Sequence, residues 1–97
     1  MKKIKISIIT TCKNSDKFIA YSLSSVANQT YKNLEHIIID GGSEDETLEI
    51  IKKHKIKEKI IITKKMTIYA GLNLGIKKAT GDYILILNSD DILDNKN

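Results

Sequence analysis

Proline and arginine are absent from this 97-residue chain, and cysteine occurs once, as Cys12. A lone cysteine makes no internal disulfide, so the fold does not depend on oxidation. Cys12 reads as a small turn residue before it reads as a catalytic thiol. All 16 basic residues are lysines, although guanine readout and bidentate phosphate clamps favour arginine. The lysines also scatter along the chain, with only short pairs such as Lys52-Lys53 and Lys64-Lys65. A net charge of +4 therefore reads as a solvated surface with mild attraction for anionic ligands or anionic lipid, with no nucleic-acid role. No apolar run approaches the roughly 20 residues of a membrane span. The opening Met1-Lys2-Lys3-Ile4 resembles the start of a signal peptide, but Lys5 and Ser7 break the apolar stretch. The cytoplasm is the expected compartment, with the inner face of a membrane as a compatible station.

What is present is a regular alternation. Ile4 to Thr10 is rich in β-branched residues and reads as a strand. Asp16 to Asn28 reads as a helix, with Ser15 or Asp16 as its cap and Ile19, Leu23 and Val26 on one face. Leu34 to Asp40 is a second strand that runs into Gly41-Gly42-Ser43. Ser43-Glu44-Asp45-Glu46 has the form of a capping box for a helix running to about His54. Lys59 to Thr63 is a third strand. Tyr69 to Thr80 is a third helix, with Leu72, Ile76 and Ala79 as its inward stripe and Gly81 as its terminator. Asp82 to Asn88 holds the most apolar strand, and the last six residues read as frayed. Continuous apolar strands joined by helices predict an α/β fold, a three-layer parallel sheet of about four strands with right-handed crossovers. No repeat, low-complexity tract or linker interrupts residues 1–97, which bounds the chain at one domain.

In such a sheet, ligands bind outside the carboxyl ends of the strands. Those ends carry Thr10-Thr11-Cys12-Lys13-Asn14, then Asp40-Gly41-Gly42-Ser43, then Asn88-Ser89-Asp90-Asp91. No Gly-x-Gly-x-x-Gly follows the first strand and no Gly-Lys-Ser/Thr loop exists, which excludes the dinucleotide fingerprint and the Walker loop. His36 and His54 are too far apart in pattern for a histidine metal site. A phospho-acceptor signalling domain needs acids where Thr10, Thr11 and Thr63 stand. The adjacent carboxylates of Asp90 and Asp91 suit either a hard divalent cation bridging to a diphosphate or a helix cap. Asp40 suits either a ligand hydrogen bond or a cap of the helix that follows.

Five segments in order resemble glycosyltransferase family two, which has the GT-A fold. They are Ile6 to Asn14, Ser22 to Tyr31, Ile39 to Thr47, Asn73 to Ile84, and Asn88 to Asp91. The resemblance implies the Rossmann-like, N-terminal nucleotide-sugar-binding half of such a domain, incomplete in these 97 residues. It implies a strand order of third, second, first, fourth. It implies a UDP-sugar donor, Mg²⁺ or Mn²⁺, and inverting transfer to the hydroxyl of a saccharide or lipid-linked acceptor. Thr11, Lys13, Asp40, Asn73 and Ser89 would face the nucleotide, while Asp90 and Asp91 would hold the metal. No residue of the chain matches the family's general base, which comes from its second half. Lys13 replaces a stacking aromatic, Asn88 replaces the first aspartate of the metal motif, and Ala70 stands where an acid is common. The alternative is a truncated nucleotide-binding remnant without turnover. With the fourth strand at an edge, the chain is expected to form homo-oligomers through it.

Overall fold

The computed structural model describes residues 3–54 and 59–90. Seven elements alternate along it: β1 (Ile6–Cys12), α1 (Ile19–Ala27), β2 (Leu34–Asp40), α2 (Thr47–Lys53), β3 (Lys59–Thr63), α3 (Ile68–Lys78) and β4 (Tyr83–Ile86). The four strands form one parallel sheet in the order β3-β2-β1-β4, as the family resemblance implied. The chain steps outward from β1 to β2 to β3, then jumps back past β1 to β4. Right-handed crossovers place helices of the two opposite steps on opposite faces. Accordingly, Ile19 and Leu23 of α1 and Ile51 of α2 pack with Cys12 and Ile38 on one face. Leu72, Leu74 and Ala79, from α3 and its end, pack with Ile9, Ile37 and Ile39 on the other. Successive strand residues point to opposite faces, so one run of isoleucines feeds both layers.

Three local expectations need correction. The first helix begins at Ile19, preceded by Phe18 with no side-chain cap. The Ser15 carbonyl accepts from the Phe18 and Ile19 amides instead, while the side chains of the preceding loop turn toward neighbouring loops. The Ser-x-x-Glu box does not close. Ser43 gives its hydroxyl proton to Asp40, and α2 starts at Thr47, whose amide and hydroxyl donate to Asp45 Oδ1 at 2.9 and 2.5 Å. In α3 the fully buried positions are Gly71 and Gly75, whereas Ile76 remains 45% exposed.

Close approach explains that last difference. A Cβ built on Gly75 lies 2.6 Å from Ile9 Cγ2 and 3.1 Å from Ile39 Cδ1. The glycine stripe lets α3 sit directly on β1 and β2. Thr67 caps the helix by accepting from the Ala70 amide at 3.1 Å. Gly81 also marks proximity: its Cβ would lie 2.8 Å from the Ser7 amide nitrogen.

At the amino ends of the strands a buried carboxylate ties the α3–β4 turn to the sheet. Glu35, 4% exposed, accepts from Ser7 Oγ at 2.6 Å, the Thr80 amide at 2.7 Å and Thr80 Oγ1 at 3.0 Å. Lys5 Nζ stands 3.6 Å from its other oxygen. Burial alone pushes this carboxyl's pKa up. The Ser7 hydroxyl, the Thr80 amide and hydroxyl, and then the Lys5 charge outweigh it and hold the group below its ordinary value.

β4 differs from the other strands. Its four residues are 40–63% exposed, and β1 is its neighbour on one side only. The expectation of strands covered on both faces therefore does not extend to β4 among the described residues.

Two stability predictions follow from this packing. Gly75→Ala gains helix propensity yet overpacks the Ile9 contact, and is expected to cost about 1–3 kcal/mol in urea unfolding. Gly71→Ala, whose Cβ would meet its nearest atom at 3.3 Å, is expected to cost clearly less. Equal stabilities for the two variants would contradict this account. Because the folded pKa of Glu35 is depressed, its contribution is present above the unfolded value and disappears as pH falls through the folded one. Glu35→Gln should therefore lower stability by about 1–3 kcal/mol at pH 7, with the gap to wild type closing as the pH drops below about 4. Urea midpoints between neutral and acid pH read this out.

Candidate functional site

The carboxyl ends of β1 and β2 are level, because their register runs unbroken from Ile6–Leu34 to Cys12–Asp40. Beyond them the chain makes two interlocked loops. Asn14 adopts a positive φ of 52°, its amide donates to Ser43 Oγ at 2.8 Å, and its Oδ1 accepts from the Glu44 amide at 2.8 Å. Gly42 takes a φ of +94°, and a Cβ there would lie 3.3 Å from Lys65 Cα. Gly41 is equally close to the Met66 carbonyl, at 3.2 Å from its would-be Cβ. Only glycine combines that backbone conformation with that proximity. The β2–α2 glycines thus seat the loop entering α3 against the sheet tips.

These loops enclose a cavity of about 570 Å³. Its floor and walls are Thr11, Cys12, Ile39, Met66, Ile68 and Gly71, and its polar lining comes from Lys13, Ser15, Gly41, Lys65, Thr67 and Ser89. Three of the site residues expected from sequence, Thr11, Lys13 and Ser89, therefore line one space. Among the described residues two lysines border it and no carboxylate lines it, which suits an anionic ligand carrying a flat or apolar portion.

The other expected residues are placed differently. Asp40 is fully buried at the end of β2. Its carboxylate accepts from the Ser43 amide at 3.1 Å, from the Ser43 hydroxyl, and from Cys12 Sγ at 3.9 Å. It braces the turn beneath the cavity. Asn73 is exposed on α3 and borders a separate hollow of about 360 Å³ with Lys64, Met66, Ala70, Leu74 and Lys77. Asp90 is exposed and directly follows the cavity-lining Ser89. Asp91 and the terminal residues read as frayed lie outside the described residues.

Cys12 is buried against the cavity wall, and its thiol pKa is pushed up to about 12. Burial is the main cause, followed by the charge and hydrogen bonding of Asp40 and the charge of Asp45. It stays protonated at neutral pH and is no nucleophile.

Ser15, Lys65, Met66, Ile68 and Gly71 were not anticipated as cavity residues. Lys65 reads in sequence as half of a solvated lysine pair. Its approach is visible only through the positive-φ glycine packed on it.

A divalent cation can be tested against these donors. Among the described residues no three His, Cys, Asp or Glu side chains gather, so they form no all-protein metal cage. Asp90 offers one exposed carboxylate, beside the hydroxyl of Ser89. That hard oxygen set fits the alternative mode, in which one or two carboxylates share a cation with the ligand's phosphates.

A parallel sheet with helices on both faces, and a cavity at the strand tips where the crossovers reverse direction, defines an open α/β protein with a cavity at its topological switch point. The sequence profile described as Glycosyl transferase family 2 matches residues 7–97. The chain belongs to that family. It is 38% identical over 94 residues to an uncharacterized glycosyltransferase of Haemophilus influenzae, covering 93% of this chain and 38% of that protein. It is 31% identical over 96 residues to the poly(ribitol-phosphate) beta-N-acetylglucosaminyltransferase TarS of Staphylococcus aureus, covering 93% of this chain and 17% of that one. The crystal structure of TarS in complex with UDP-GlcNAc superposes with a TM-score of 0.88 at 27% identity, covering 96% of this chain and 28% of the other. A mannosyltransferase from Pyrobaculum calidifontis, in complex with GDP-Man and Mn²⁺, shares the fold with a TM-score of 0.85 at 20% identity, covering 94% and 29%. The chain thus spans well under half of these relatives.

Proposed function

We propose that this chain is the nucleotide-sugar-binding part of a glycosyltransferase that uses a UDP-sugar. The observation that carries the reading is the convergence of Thr11, Lys13, Lys65 and Ser89 on one cavity at the strand tips. The apolar floor of Ile39, Met66 and Ile68 suits the flat face of a base, and the lysines suit a diphosphate. Asp40 serves by fixing the loop that shapes the cavity, and it contacts the ribose only if it exchanges its bonds to Ser43. Asn73 faces the neighbouring hollow and would reach the donor only through a part of the sugar nucleotide lying outside the main cavity.

A divalent cation, Mg²⁺ or Mn²⁺, would be held by Asp90 with Asp91, and Ser89 supports them. When bound, such an ion neutralises charge on a diphosphate leaving group. A relative in complex with UDP-GlcNAc supports this donor, and a fold neighbour in complex with GDP-Man and Mn²⁺ is consistent with a divalent cation. Inverting transfer to a saccharide or lipid-linked acceptor completes the reading. The base that deprotonates the acceptor hydroxyl is assigned to a part of the glycosyltransferase fold that these residues do not span. A second reading, a nucleotide-binding module without turnover, is favoured by one feature: no carboxylate or imidazole among the described residues lines the cavity.

We place the protein in the cytoplasm, with the inner face of a membrane as a station compatible with its scattered lysines. No helix among the described residues is long and apolar enough to cross a membrane.

Titration of UDP with and without Mn²⁺ tests the site. Mn²⁺ is expected to tighten UDP binding, and Asp90→Ala to remove about tenfold or more of that gain. Absence of any metal effect on the wild type, or an undiminished effect in the variant, would remove the assignment.

The exposed apolar edge of β4 supports a further element of the proposal, association of two chains through that strand. Light scattering should show mass rising with concentration, and Ile84→Lys should hold the chain monomeric. A wild-type monomer at every concentration would contradict it.

A further inference from the structure

Ser15 joins the loops of three different strands. Its backbone amide donates to Thr47 Oγ1 at 2.7 Å, at the start of α2. Its carbonyl accepts the amides of Phe18 and Ile19 at 3.0 and 2.9 Å and so begins α1. Its hydroxyl lies 3.3 Å from the Lys13 carbonyl and 3.0 Å from Ser89 Oγ, across 74 positions of sequence. Thr47 in turn donates its hydroxyl to Asp45 Oδ1 at 2.5 Å. A continuous relay therefore runs from Asp45 through Thr47 and Ser15 to the tip of β4.

Proton counting orients the last link. A serine hydroxyl has one hydrogen to donate and two lone pairs to accept with. The Lys13 carbonyl is acceptor only, so Ser15 gives its hydrogen there and accepts from Ser89. Ser89 then turns both its own lone pairs away from Ser15. Ser89 and Ser15 both line the cavity, so those lone pairs are available to a cation or donor group within it. The neighbouring residue in the chain is Asp90.

We propose that Ser15 is a positioning residue. It holds the Ser89-Asp90 tip against the β1 loop and sets the hydroxyl of Ser89 as an acceptor, so that the metal-dependent part of nucleotide binding depends on it. This rests on the donor-site reading above. The role is specific to the hydroxyl: the amide and carbonyl bonds of Ser15 belong to the backbone and survive in Ser15→Ala. The tip also keeps a second tether, Ser22 Oγ to the Asn88 carbonyl at 3.4 Å. The variant therefore retains the fold and loses one link.

The test compares the wild-type chain with Ser15→Ala and Ser15→Thr. In the absence of ligand, the amide resonances of Ser89 and Asp90 should shift in Ser15→Ala, with reduced order parameters at both. The gain in UDP affinity produced by Mn²⁺ should fall about tenfold in Ser15→Ala, as for other partners that orient metal ligands. Ser15→Thr, which keeps the hydroxyl, should restore both readouts. Unchanged Ser89 and Asp90 amides, or a full Mn²⁺ gain in Ser15→Ala, overturns the proposal. A wild type that shows no Mn²⁺ gain while the amides still shift overturns the donor-site reading and leaves the tie between Ser15 and the β4 tip standing.

Discussion

Seven successive parallel pairs between β1 and β2 are the constraint on which the rest of the molecule hangs. They bring Cys12 and Asp40 to the same level, so that the loops leaving both strands start from one line. Every feature of the cavity descends from that alignment. Asn14 can meet Ser43 and Glu44, and Ser15 can meet Thr47, only because the two strands end together. A one-residue slip would also exchange the faces of the strands and turn Ile9 and Ile37 away from α3. The alternation of buried isoleucines on both faces makes such a slip costly.

Much of this was legible in the chain because it depends on patterns with a known period. Apolar runs of strand length, separated by helical repeats, specify the alternation of elements. The polar and glycine-bearing strand ends specify where the cavity opens on the sheet. Thr11, Lys13 and Ser89 line the cavity for that reason. What could not be read was decided by contacts between segments far apart in sequence. Ser43 looks like a helix cap when only its own helix is considered, but its oxygen accepts from the Asn14 amide and its hydroxyl donates to the buried Asp40. Ile76 looks like part of an inward stripe by hydrophobicity, but the backbone of α3 comes so near to β1 that Gly71 and Gly75 take the closest contacts, with Leu72 and Ala79 packed beside them. Lys65 joins the cavity because of Gly42, and no local rule links those two positions. The same is true of Asp40 and Asn73. Their residue types fit a ligand site, while their placement beneath the loop and beside a second hollow follows from packing.

The two ends of the sheet solve different problems. At the amino end, Glu35 is closed in by Ser7, Thr80 and Lys5, and its hydrogen-bonding capacity is directed into the protein. At the carboxyl end, hydroxyls, lysines and Asp90 are left facing a cavity or solvent. Membership of glycosyl transferase family 2 fits that asymmetry: one end fastens the chain, and the other holds the cavity proposed for the sugar nucleotide. The fastening matters for the open end, because Thr80 and Gly81 lie on the turn that leads into β4 and hence to Ser89 and Asp90.

The complete replacement of arginine by lysine has its effect at Lys13 and Lys65. An ammonium group is a strongly hydrated point charge on a flexible stem, without the planar fork that reads the shape of a phosphate. An anion bound in this cavity would therefore be held by attraction that depends on distance and little on orientation. Such a grip admits rival polyanions of similar charge, and it slackens as the ionic strength of the medium rises.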